Sequence, residues 1–103
     1  MTAQDFLYSL PEKVDPAVLE GVETVFHFDI TDGGQYTVEA TNGEICVSEG
    51  FLGEPKCVVK AKEANFMGVL SGKLNPMMAV LTGKLKISNQ GEMIKYAKIF
   101  GLM

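Results

Sequence analysis

The sequence predicts an α+β domain, and three observations carry that expectation. From residue 26 to residue 48, apolar and polar residues alternate, and the alternation is punctuated by Asp32-Gly33-Gly34 and Asn42-Gly43. Half-buried strands joined by hairpin turns read this way. The second half of the chain switches to broad apolar stripes set off by two Gly-Lys-Leu phrases, the pattern of short helices laid on a sheet. Apolar residues make up 47% and charged residues 21% of 103 residues, which suffices for one core without crosslinks. No linker or low-complexity stretch divides the chain, so residues 1–103 read as one domain.

Each element can be justified in turn. Thr2, with Asp5 three residues on, starts a helix over residues 2–9 that Leu10-Pro11 ends. Asp15-Pro16 is a cap followed by proline at the first helical position, and it opens a short helix that stops near Gly21. In the first strand Phe26, Phe28 and Ile30 share one face, with His27 and Asp29 on the other. A three-residue loop at Asp32-Gly33-Gly34 then sets Ile30 opposite Tyr36, Phe28 opposite Val38, and His27 opposite Glu39. Asn42-Gly43 is a strong hairpin signal that sets Ala40 opposite Ile45 and Val38 opposite Val47.

The fourth strand turns Cys57, Val59 and Ala61 inward and Val58, Lys60 and Lys62 outward. A helix over 63–72 carries Phe66, Met67, Val69 and Leu70 on one stripe. Asn75-Pro76 restarts the chain as a short helix, and Gly83 caps its end. Leu85 and Ile87 point inward from a fifth strand. A last helix over 91–103 groups Met93, Tyr96, Ala97 and Phe100, with Lys95 and Lys98 toward water.

Charge and motifs exclude several classes. The net charge is −4 and no basic run exists, which argues against nucleic acid as a partner. Two cysteines make no disulfide framework or zinc signature, so the reading is of reduced thiols in the cytoplasm. The start has no secretory pattern and no apolar run is long enough to span a bilayer. Nucleophile elbow, phosphate loop and metal-ligand spacing are all missing. The lone His27 reads as a surface cross-strand pair with Glu39, so no enzyme, cofactor or metal is expected. Lys60, Lys62, Lys84 and Lys86 fall on the outer face of the last two strands, where edge protection explains them first. A basic rim that meets anionic lipid head groups or a coenzyme A phosphate is the sharper reading.

The stretches "GQYTVEATNGEICVSEG", "GVLSGKLNP" after Phe66, and "LTGKLKI" resemble the sterol carrier protein type 2 family, over nearly the whole chain from Phe26 onward. Tyr36 stands where tryptophan is common in that family, and Ser88-Asn89-Gln90-Gly91-Glu92 replaces a Gly-Asp. The resemblance implies a mixed five-stranded sheet of order 3-2-1-4-5, helices over one face, and an apolar tunnel between. It also implies non-enzymatic binding and transfer of an apolar small molecule: a fatty acid, an acyl-coenzyme A or a sterol-like lipid.

On that expectation Phe26, Phe28 and Val38 form the tunnel floor, and Phe66, Met67, Leu70, Leu74, Met77, Met78 and Leu81 its wall. Met93, Tyr96, Ala97 and Phe100 form a lid. Five of the six methionines, Met103 among them, fall in the helical half, and their flexible thioethers suit a variable ligand surface. Transient contact with a membrane surface and a monomer or weak dimer belong to the same expectation. The alternative is an interaction module whose groove receives a partner segment.

Overall fold

The structure, a computed structural model, describes residues 2–100. Helix α1 (Ala3–Lys13) and a 3-10 turn (Pro16–Leu19) lead into a meander of β1 (Thr24–Ile30), β2 (Gly34–Thr41) and β3 (Glu44–Glu49). Strand β4 (Cys57–Ala61), α2 (Glu63–Leu70), α3 (Pro76–Leu81), β5 (Leu85–Ile87), α4 (Gln90–Lys95) and a second 3-10 turn (Ala97–Phe100) follow. The sheet order is β3-β2-β1-β4-β5, with β4 parallel to β1 and the other pairs antiparallel. This is the expected mixed sheet.

The alternation sorts the sheet as predicted. Phe26, Phe28, Ile30, Val38, Ala40, Cys57, Val59 and Ala61 are buried on the helix-covered face, together with Ala3, Leu7 and Leu10 of α1. The caps also fall where the sequence put them. Asp5 N–H donates to Thr2 Oγ1 at 3.1 Å while Thr2 N–H donates to Asp5 Oδ2 at 3.2 Å, a reciprocal capping box. Asn75 Oδ1 accepts from the amides of Met77 and Met78. Gly72 and Gly83 take φ of +82° and +78° after α2 and α3, the left-handed stop that each Gly-Lys-Leu phrase supplies. Leu74 then turns back half-buried and Leu85 buried, while both lysines stay exposed.

Four expectations are corrected. Helix α1 continues through Pro11 to Lys13, because Leu10 is anchored in the core and Val14 N–H closes on its carbonyl at 3.0 Å. The first hairpin turns on Thr31-Asp32-Gly33, so Ile30 faces Gly34, Phe28 faces Tyr36 and Phe26 faces Val38. That is a slide of two residues, which keeps every side chain on its face. The second hairpin has the predicted register, Ala40 to Ile45 and Val38 to Val47.

His27 is the third correction. It lies opposite Thr37 and is 5% exposed, because the segment after β3 folds back over the outer face. Phe51 stacks on the imidazole at 4.5 Å, and Leu52 C=O lies 2.9 Å from Nε2. Thr37 Oγ1 donates to Gly50 C=O and accepts from Leu52 N–H. The fourth concerns the last helix, which α-helical bonding sustains only to Lys95 before it tightens into 3-10 geometry. Gly101, Leu102 and Met103, also assigned to that helix, lie outside the described residues.

Candidate functional site

The sheet's apolar face and three separate elements bring their aromatic side chains to one place. Phe26 and Phe28 rise from neighbouring inward positions of β1, with ring centroids 6.1 Å apart. Phe100, in the terminal 3-10 turn, leans on both, at 5.0 Å from Phe26 and 5.3 Å from Phe28. Phe66 of α2 meets the edge of Phe28 at 5.7 Å, and Tyr96 meets Phe26 at 6.5 Å. Such tilted and edge-on contacts suit the ring quadrupoles. Val38 and Met93 are buried in the same core, and Met67, Leu70 and Leu74 are half-buried against it; Ala97 is buried too, but outside that cluster.

Met77, Met78 and Leu81 do not join the cluster. They face outward from α3, with 75%, 56% and 78% of their surface exposed. Helix α3 buries Ala79 and tucks Val80 against the core instead. The sequence reading also left out Phe6, whose ring meets Phe66 at 6.1 Å. Its spacing from Leu7 and Leu10 was the available signal, since the three fall on one side of a helix. Ile99 was missed as well, and it is buried.

An open hollow of about 520 Å³ lies between the first 3-10 turn and residues 95–99. Ala17, Val18, Val22, Tyr96 and Ile99 give it apolar walls, and Glu20, Lys95 and Lys98 supply its charge. Tyr96 therefore borders the hollow and the aromatic core at once. Helix α4 is tied to the sheet, because Thr24 Oγ1 donates to Glu92 Oε2 at 2.7 Å and Asn89 Nδ2 donates to Lys56 C=O, just before β4, at 3.1 Å.

The polar groups near the cluster are positioned for structure. Cys57 is buried on the inner face, where desolvation pushes its thiol pKa up against the hydrogen bond it makes to Asn89 C=O at 3.5 Å. Burial likewise raises the Tyr36 phenol, helped by the Glu49 carboxylate, and its hydroxyl donates to Gly33 C=O at 2.9 Å. Cys46 is exposed on β3, and with β2 and β1 between them the two cysteines are roughly three strand spacings, about 14 Å, apart. Among the described residues no three His, Cys, Asp or Glu side chains converge to hold a metal, and no helix is long and apolar enough to cross a membrane.

The description "SCP-2 sterol transfer family" matches residues 4–103. The chain belongs to that family. Sterol carrier protein 2 of Gallus gallus is 32% identical over 77 residues, covering 69% of this chain and 14% of the relative. The chain thus spans only a small part of the curated relatives it matches. The stereoselective inverting sec-alkylsulfatase Pisa1 of Pseudomonas sp. contains the same fold, with a TM-score of 0.81 at 21% identity over 100% of this chain and 16% of that one. The palmitated SCP2L2 of Aedes aegypti gives a TM-score of 0.71 at 20% identity, covering 97% of this chain and 95% of that one. The five-stranded mixed sheet with its covering helices is the fold of this family.

Proposed function

We propose that this SCP-2 family member binds and transfers an apolar small molecule and does no covalent chemistry on it. The observation that carries the reading is Phe100. Its ring packs on both Phe26 and Phe28, while Tyr96 and Ile99 of the same stretch line a hollow of a size that fits small-molecule sites. An acyl chain entering past Tyr96 and Ile99 would take the place of that ring and lie on Phe26, Phe28 and Val38. Phe66, Met67, Leu70 and Leu74 would line its side, and Met93, Tyr96, Ala97 and the displaced Phe100 would close over it. Each buried methylene contributes about 0.8 kcal/mol, so several suffice to offset the undocking of one phenylalanine. The relative carrying palmitate has this fold, which supports a fatty acid or its thioester as the ligand class.

Non-enzymatic carriage is supported by the placement of the reactive groups. His27 lies under Phe51 on the outer face and Cys57 is buried on the inner face with its thiol held protonated, so the imidazole and the thiol do not form a nucleophile–base pair. Met77, Met78 and Leu81 face away from the volume proposed for the ligand and take no part in the wall. The test is a truncation lacking residues 92–103. It should retain its β structure by circular dichroism and lose most of its affinity for a fluorescent fatty acid. Full affinity in the folded truncation would refute the lid.

A further inference from the structure

The outward face of α3 is unlike the rest of the surface. Successive helix residues are about 100° apart, so Met77, Leu81 and Met78 share one arc while Ala79 faces the core. Three large apolar side chains are thus presented to solvent from a six-residue helix. Asn75-Pro76 and Gly83 fix its two ends, so the exposure is built into well-made caps. Along the chain on either side of this tip the charge is of one sign. Residues 64–91 contain Lys73, Lys84 and Lys86 and no acidic residue, whereas the chain as a whole carries a net charge of −4. Lys73 and Lys84 are exposed immediately before and after the helix, and α3 rests on β5, which carries Lys86. The two Gly-Lys-Leu phrases therefore stop a helix each and also place a cation at either end of an apolar tip.

We infer that α3 is a docking surface for an anionic membrane, with Met77, Met78 and Leu81 dipping among the acyl chains and the lysines meeting lipid phosphates. An apolar wedge bracketed by lysines has that chemistry. A second copy of the chain fits less well. Two-fold pairing through this face would oppose lysine to lysine, and pairing with an acidic face elsewhere would be head-to-tail, giving rings or open chains of copies and no simple dimer. Three side chains also cover far less area than the roughly 1,200 Å² of a stable protein interface. Docking extends the carrier reading, because it supplies the membrane from which a carried lipid would be loaded, but it can be measured without that ligand.

The experiment is co-sedimentation of the full chain with phosphatidylcholine vesicles, with and without phosphatidylglycerol, at low and high salt. The parent protein should partition onto the anionic vesicles and be released by salt. The exposed triple variant Met77→Gln, Met78→Gln, Leu81→Gln should lose partitioning at least tenfold, and Lys73→Gln and Lys84→Gln about fivefold each. The chain has no tryptophan, so Met78→Trp provides a single reporter whose emission should shift to the blue on anionic vesicles. Fatty-acid affinity, measured without vesicles on the same variants, should not change, which separates failed docking from failed carriage. Equal partitioning of parent and triple variant, or indifference to phosphatidylglycerol, would overturn the inference. A dimer in solution that the triple variant dissolves would overturn it too, and would assign the face to a second copy.

Discussion

Replacing Phe100 by alanine separates a plug from a wall. The ring is 3% exposed and wedged against Phe26 and Phe28 at 5.0 and 5.3 Å. Truncating a buried phenylalanine costs 3–5 kcal/mol in a rigid core. Here about 3 kcal/mol is expected, the low end of that range, because a short 3-10 turn can relax into the space the ring leaves. Urea denaturation followed by circular dichroism should show this as a lower midpoint with an unchanged slope. A domain of ordinary stability, roughly 5–15 kcal/mol, remains folded after that loss, and Phe100→Leu provides a milder variant.

The decisive quantity is palmitate affinity. If the ring must yield its place to the ligand, most of the lost stability falls on the unliganded state alone. The binding-competent fraction then rises and the apparent dissociation constant falls in proportion. Even if half the penalty is shared by the complex, about 1.5 kcal/mol remains, a gain in affinity of about tenfold by titration calorimetry. An affinity that drops in step with stability would mean that Phe100 is a fixed wall, and the plug mechanism would be wrong.

Three further outcomes follow from the packing around the site. Cys46 should react with a maleimide at neutral pH, whereas Cys57 should react only once the protein is unfolded, since burial keeps it a thiol; equal rates in the native state would refute its placement. The folded-state pKa of Tyr36 lies above its ordinary 10.0. Folding therefore favours the protonated phenol, and stability should be full below pH 10 and decline as pH rises through the folded value. Tyr36→Phe should remove that decline while costing about 1 kcal/mol at neutral pH for the lost bond to Gly33, and an unaltered alkaline profile would count against it. Finally, Phe51→Ser removes the ring stacked on His27. With such a pair worth roughly 0.5–1.5 kcal/mol, the Leu52 amide should exchange about three to ten times faster, and unchanged protection would show that Thr37 alone holds the loop.

Local rules carried a large share of the fold. Period-two alternation assigned Phe26, Phe28, Val38, Cys57 and Val59 to the core side because side chains of a strand can only go up or down. Asn42-Gly43 set its register because both residues take the positive φ that a two-residue turn needs. The order of strands and the aromatic floor came from the resemblance of "GKLNP" and "GKLKI" to a family, not from periodicity. Alternation cannot tell a register from one shifted by two, and so the first hairpin slid without moving any residue off its face.

Residues within a few positions of one another were thus enough for the list of elements, the caps at Thr2, Asp15 and Asn75, and the face of each strand residue. Which apolar residues meet depended on packing between distant segments. Phe100 reached Phe26 and Phe28 across more than seventy positions of chain, and His27 was buried by a loop that folds back from the end of β3. Met77, Met78 and Leu81 were turned outward because a helix six residues long has one inner side, and Ala79, small enough for close contact, took it. Hydrophobicity draws a side chain out of water without saying where, and that choice was made by the surfaces the sheet and its neighbouring helices had left open.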